Sequence, residues 1–373
     1  MLGLAVTTVG RRSKKQALGI DTRDWHHGGN DRMAIEHPYL LFLGDAPDQL
    51  AAKTAQGVLQ WRPEWCLGQL RLPGCQADLG LPDLSLEEAA AQGVKTLVVG
   101  VANRGGVISD GWTDVLETAI ETGFDLAAGL HNRLVDVPRL QGAAEAHARS
   151  LYDVRHPSRS FDVGDGRKRS GKRLLTVGTD CSVGKMYTSL ALEREMQARG
   201  MKAAFRATGQ TGILIAGEGV SVDAVVADFI SGAVEWLSPP NEDDHWDLIE
   251  GQGSLFHASF AGVSLGLLHG AQADALVLCH EPTRPHMRGL PDYPLPPLDE
   301  CIRRNEEAAR LTNPAAACIG VAVNTSGLDA GAARRLLDET EQALGLPAVD
   351  PVRDGVAPIV DGLQVGAAGR RVG

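Results

Sequence analysis

The stretch Arg173–Met196, RLLTVGTDCSVGKMYTSLALEREM, decides how the rest of the chain is read. Its first residues, Leu174–Val177, form a short apolar run of the kind a buried parallel strand shows. A glycine-bounded loop follows, Gly178-Thr179-Asp180-Cys181-Ser182-Val183-Gly184-Lys185. Leu190, Ala191, Glu193, Arg194 and Met196 then carry good helix propensity. Strand, loop, lysine and helix together predict a phosphate cradle. Backbone N–H groups of the loop and the helix start converge on an anion, and the lysine adds a point charge. Two features depart from the usual phosphate loop: five residues rather than four separate Gly178 from Gly184, and Met186 stands where serine or threonine would bind magnesium. A thioether is a poor ligand for so hard a cation. The site is therefore read as a phosphate holder without its magnesium hydroxyl.

Beyond this stretch, further strands are predicted at Ala203–Arg206, Asp247–Ile249, Ala275–Cys279 and Ile319–Val323. Helices are predicted over Val222–Trp236, Leu298–Leu311 and Ala332–Leu344. Each strand ends in polar or glycine-rich sequence: Thr208-Gly209-Gln210-Thr211-Gly212, Glu250-Gly251-Gln252-Gly253-Ser254, His280-Glu281-Pro282-Thr283-Arg284 and Asn324-Thr325-Ser326. Four such ends beside a phosphate loop define one face and one cleft.

Upstream, strands at Tyr39–Leu43, Thr96–Val101 and Phe124–Ala128, with an amphipathic helix over Gly111–Thr122, predict a second parallel α/β unit. The loop Ala102-Asn103-Arg104-Gly105-Gly106 leaves a strand end where such sheets place ligands. Trp61–Asp83, punctuated by proline and glycine, reads as an irregular covering segment. The expected division is an extension at 1–35 (a disordered arm or an over-long start), a domain at 36–150, a linker at 151–172, a domain at 173–350 and a tail at 351–373. The basic run Arg167-Lys168-Arg169 with Lys172 is read as solvated.

At 373 residues, each of two domains can bury its own core. A net charge of −11 argues against nucleic acid or an anionic membrane as partner, and no apolar run approaches a membrane span. Six scattered cysteines without a CxxC pair point to reduced thiols, no zinc site and a cytoplasmic setting.

GTDCSVGK, WDLIEGQGS and VAVNTS together resemble the dethiobiotin synthetase type of phosphate-loop domain, apart from Met186. Over nearly the whole chain from Pro38, the blocks PYLLFLGDA, KTAQGV, GVANRGG, TVGTDCSVGKMYTSLALE, RATGQTGI, VSVDAVVADFISGA, DHWDLIEGQGSLFH, GLLHGAQ and LCHEPTR more closely resemble the DgcN family. The resemblance implies a small Rossmann-like N-terminal domain followed by a P-loop-NTPase-like parallel α/β domain. It also implies acetylation of D-glutamate on nitrogen from acetyl-CoA, with a product that feeds an enolase-superfamily epimerase.

On that basis Gly178, Thr179, Asp180, Cys181, Ser182, Val183, Gly184, Lys185 and Met186 are expected to hold the CoA phosphates, with no metal required. Amine acetylation needs a proton acceptor, oxyanion donors and cations for a dicarboxylate. Glu250, His257, His280 and Glu281 are candidate bases, with His257 favoured because its ordinary pKa lies near working pH. Asn103, Arg104, Arg206, Gln210 and Arg284, with Arg288 a further cation, are candidate substrate contacts. Cys181, near a helix start, is a candidate acyl carrier with a lowered pKa. Expected partners are an acidic amino acid, CoA and further copies of the chain in a homo-oligomer. An ATP-dependent ligase or kinase is the alternative function, and a non-catalytic nucleotide-binding regulator a third.

Overall fold

Two all-parallel sheets organise the chain. The computed structural model describes residues 34–101, 108–157 and 159–369. In the first half β1 (Tyr39–Gly44), α1 (Lys53–Trp61), β2 (Cys66–Arg71), α2 (Leu86–Ala91), β3 (Thr96–Val99), α3 (Asp110–Thr122), β4 (Asp125–Ala128), α4 (Pro138–His147) and β5 (Leu151–Asp153) follow one another. The strands pair in the order β2-β1-β3-β4-β5. All six residues of β1 are buried, as a strand covered by helices on both faces must be.

The second half runs β6 (Lys172–Gly178), α5 (Lys185–Ala198), β7 (Ala203–Arg206), α6 (Gln210–Ala216), α7 (Ile230–Leu237), β8 (Trp246–Ile249), α8 (Ala261–Ala271) and β9 (Ala275–His280). It continues with a short hairpin, β10 (His286–Met287) and β11 (Leu290–Pro294), then α9 (Leu298–Ala309), β12 (Ala317–Val323), α10 (Ala330–Leu344), β13 (Ala348–Val349) and α11 (Ala357–Gly369). Its six-stranded sheet has the order β13-β12-β9-β6-β8-β7. β6 thus lies inside the sheet, between β9 and β8, and its loop emerges among their ends.

Four stretches differ from the sequence expectation. Trp61–Asp83 is not merely a cover, because β2 pairs in parallel with β1 along the sheet edge. The stretch expected as linker begins with β5, which pairs with β4. Val222–Trp236 is not one helix: Val225 is extended (φ −83°, ψ 136°), and α7 starts only at Ile230. Val226 is extended as well (φ −58°, ψ 135°), a backbone that β-branched residues favour. The basic run is not wholly solvated: Arg169 turns inward, donating to the Ser238 and Gly270 carbonyls at 2.9 and 2.8 Å.

The two halves touch at several points within one compact unit. Ile35 N–H donates to Gly217 O at 2.7 Å, and Arg62 pairs with Glu193 at 3.0 Å. A Cβ on Gly129, at the end of β4, would lie 2.7 Å from the side-chain oxygen of Gln210. No helix among the described residues is long and apolar enough to cross a membrane.

Candidate active site

The loop after β6 is built from close approaches that only glycine allows. A Cβ on Gly178 would stand 2.8 Å from the Asp180 carbonyl and 3.0 Å from the Lys185 ammonium. Gly184 has φ +100°, a left-handed conformation that favours glycine, and a Cβ there would face open space. As N-cap of α5, Gly184 offers no side chain to the first-turn N–H groups, so these remain directed at the loop's concavity. Lys185 is buried beneath the loop and donates to Asp180 O at 2.9 Å. Burial pulls its pKa down. That one bond uses a single ammonium proton.

Asp180 is wholly buried and fastens the loop to the chain after β9. It accepts from the Arg284 guanidinium (2.7 Å), the Arg288 N–H (2.8 Å) and the Cys181 N–H (2.6 Å). Burial alone would raise its pKa, but these donors outweigh it and hold the carboxyl below its ordinary value. Arg284 also donates to the carbonyls of Cys181 (2.6 Å) and Ser182 (2.8 Å) and pairs with Glu281 at 3.2 Å. With its fork committed to the loop, it is a fastener in this structure rather than a substrate clamp. Glu281 in turn accepts from Thr283 N–H at 2.8 Å.

Glu250, at the end of β8, is nearly inaccessible (5%) yet borders the cavity. Its Oε2 accepts the N–H groups of Thr208 (2.9 Å) and Gly209 (3.1 Å), and its Oε1 accepts from Gln252 Nε2 (3.1 Å). Burial pushes its pKa up to about 7, against the lowering pull of those N–H groups and of Lys185. A carboxylate poised there suits proton abstraction at neutral pH. The carboxylate can lie so close to the backbone because Gly212 has no Cβ: one there would sit 2.4 Å from Oε2.

The other candidates are placed differently. His257 is buried, its Nδ1 accepts from Ser259 N–H (3.1 Å), and its Nε2 lies 3.0 Å from Arg288 O. That pattern sets the tautomer protonated on Nε2 and engages its basic lone pair. His280 faces Thr179 Oγ1 through Nδ1 at 3.1 Å, and burial lowers its pKa. Arg206 is buried against Asp247 at 2.7 Å. Asn103 and Arg104 lie outside the described residues. Burial raises the Cys181 pKa despite nearby Lys185, which corrects the expectation of a lowered value and removes the activated thiolate an acyl carrier needs. Asp180, Cys181 and His257 bring one ligand-type atom each within 4.8 Å of one another, but the carboxylate and imidazole are already engaged as described.

A cavity of about 960 Å³ opens over Gly184 and Lys185, at the upper end for a ligand site. Besides Glu250, Gln252 and the loop, it is lined by Asp223, Arg288, Asn324, Ser326, Asp350 and Arg353. In the sequence Asp223 sits inside an amphipathic helix pattern, and Asp350–Arg353 straddle the expected domain end. The polar strand end at Asn324–Ser326 and the cation Arg288 are the members of this group legible from sequence.

An inner strand ending in a glycine-bounded loop, a lysine and an uncapped helix places the chain among the P-loop class of α/β proteins. The chain belongs to the DUF1611 family. Residues 162–360 match the family's C-terminal model, described as a P-loop domain of unknown function, and residues 70–157 match its Rossmann-like N-terminal model. A D-glutamate N-acetyltransferase of Tritonibacter scottomollicae is 60% identical over 88% of this chain and 99% of that protein. A protein of the same name from a Pseudoalteromonas species is 52% identical over 89% of this chain and 100% of its own length. The crystal structure of a DUF1611 family protein from Anabaena variabilis superimposes with a TM-score of 0.76 at 33% identity, over 88% of this chain and all of that one. The resemblance carried by the sequence blocks thus extends along most of the chain.

Proposed function

We propose that the chain transfers an acetyl group from acetyl-CoA to the amino group of D-glutamate. The observation that carries this is 60% identity, over 88% of this chain and 99% of the other, with a D-glutamate N-acetyltransferase. The cavity suits such a donor: a buried ammonium with protons to spare and an uncapped helix start face the space above Gly184. Gly178–Lys185 would hold the donor's diphosphate, and the bound donor supplies the thioester-activated acetyl carbon.

The chain's own groups then have separable tasks. Glu250 removes the proton that makes the substrate nitrogen an unreactive ammonium; its pKa of about 7 leaves it partly ionised at neutral pH. Thr208, Gly209 and Gln252 hold that carboxylate in one orientation. Asp223 offers a second negative group in the cavity for the incoming ammonium. Arg288, anchored on Ser182 Oγ at the cavity's edge, is the cation for a substrate carboxylate. Arg284 and Asp180 keep the loop's shape.

The test is release of free CoA thiol from acetyl-CoA over D- and L-forms of glutamate and aspartate, in EDTA, with ADP formation from ATP followed in parallel. D-glutamate should be acetylated with the chelator present, and ATP should be left intact. Turnover strictly dependent on ATP and magnesium would replace the acetyltransferase with a ligase.

A further inference from the structure

The cavity extends well past the phosphate loop, and the strand order sets its direction. Glu250 leaves β8 on one side of β6. Asn324 and Ser326 follow β12, and Asp350–Arg353 follow β13, both on the other side. An acyl-CoA carries its diphosphate between the thioester arm and an adenosine bearing a 3′-phosphate. With the diphosphate on the β6 loop and the thioester toward Glu250, the adenosine end is directed at the ends of β12 and β13.

That end is pre-built. Asp350, buried, accepts the N–H groups of Thr325 (2.9 Å), Val352 (2.9 Å) and Arg353 (3.0 Å), joining the two strand ends through one carboxylate. Arg353 Nη2 donates to the carbonyls of Thr325 (3.3 Å) and Leu328 (3.2 Å). The guanidinium is therefore held in place, while its Nε and Nη1 donate to nothing among the described residues. Pro351 and Val352 give the same wall an apolar surface. The cavity's other cations, Lys185 and Arg288, are tied to the phosphate loop itself through Asp180 O and Ser182 Oγ.

Resting on the proposal that the cavity takes an acyl-CoA, we infer that Arg353 binds the donor's 3′-phosphate. It is then the residue that separates CoA from ATP, ADP and other nucleotides lacking that group. A guanidinium held through Nη2 keeps its full charge and the N–H donors on Nε and Nη1, which suit a dianionic phosphate.

Calorimetric titration of the full chain with CoA and with 3′-dephospho-CoA tests this without turnover. The wild type should bind CoA about 10–100-fold more tightly than the dephospho form, the range of a charge-assisted contact. Arg353→Ala should lose that factor for CoA and keep its affinity for the dephospho form, bringing the ratio close to one; Arg353→Lys should retain part of it. Thermal melts check folding, which the substitution should spare because Asp350 holds this turn through backbone N–H groups. Equal binding of the two ligands by wild type, or equal weakening of both by Arg353→Ala, overturns the assignment. A protein that acetylates D-glutamate but does not discriminate overturns Arg353 alone; one that binds neither ligand overturns the acyl-CoA proposal with it.

Discussion

Replacing Glu250 by glutamine isolates proton abstraction from binding. The amide oxygen can take the position of Oε2 and keep both N–H donors, Thr208 at 2.9 Å and Gly209 at 3.1 Å. The amide nitrogen then faces Gln252, whose own amide can rotate to present its oxygen. The cavity keeps its shape and loses only the base. Loss of a positioned general base lowers kcat by about 10²–10⁴. The pH dependence follows from burial, which lifts the carboxyl to about 7. Below that pH Glu250 is protonated and cannot accept, so about a tenth of the enzyme is competent at one pH unit lower. Wild-type kcat should therefore fall on an acid limb centred near 7, and the variant should lack it. Stability runs the opposite way. A folded pKa raised from the ordinary 4.5 to about 7 favours the folded state at low pH, and that contribution is lost as pH rises through 7. The difference corresponds to about 3 kcal/mol. Glu250→Gln should thus melt no lower than wild type at pH 8 while turning over far more slowly. Thiol-release kinetics from pH 5.5 to 9 with parallel melts decide it. A variant with wild-type kcat, or a wild type with no acid limb, refutes the role.

Two further substitutions probe the loop. Lys185→Ala should weaken CoA binding by about 1.5–3 kcal/mol, read by titration, because a buried ammonium with one protein partner is lost; unchanged affinity would remove the phosphate assignment. Arg284→Ala should cost about 1–3 kcal/mol of stability, because Asp180 remains buried with only its N–H donors. CoA affinity should fall with it as the loop loosens. A selective rise in KM for D-glutamate, with CoA binding and melting unchanged, would instead make Arg284 a substrate clamp.

The sequence by itself determined both parallel sheets in outline, the phosphate loop and the acidic strand end at Glu250, because each is a local signal. An apolar run, a glycine spacing and a lysine at a helix start are readable within a dozen residues. The short edge strands β2 and β5 escaped because their sequences, CLGQLR and LYD, lack the long apolar run that marks an inner strand. Only the tertiary structure decided which polar residues are available for chemistry. His257 is the favoured base on sequence, but in the fold Arg288 O, thirty-one residues away, accepts from its Nε2 N–H and Ser259 N–H occupies its Nδ1 lone pair. Arg284 is consumed by a loop a hundred residues earlier. Glu250 gains its raised pKa from burial, which outweighs the lowering pull of the Thr208 and Gly209 N–H groups. Cys181 remains a thiol because desolvation outweighs the nearby ammonium. A side chain's identity is written in the chain, but its free lone pairs, spare protons and pKa depend on what the fold brings within about 3 Å of it.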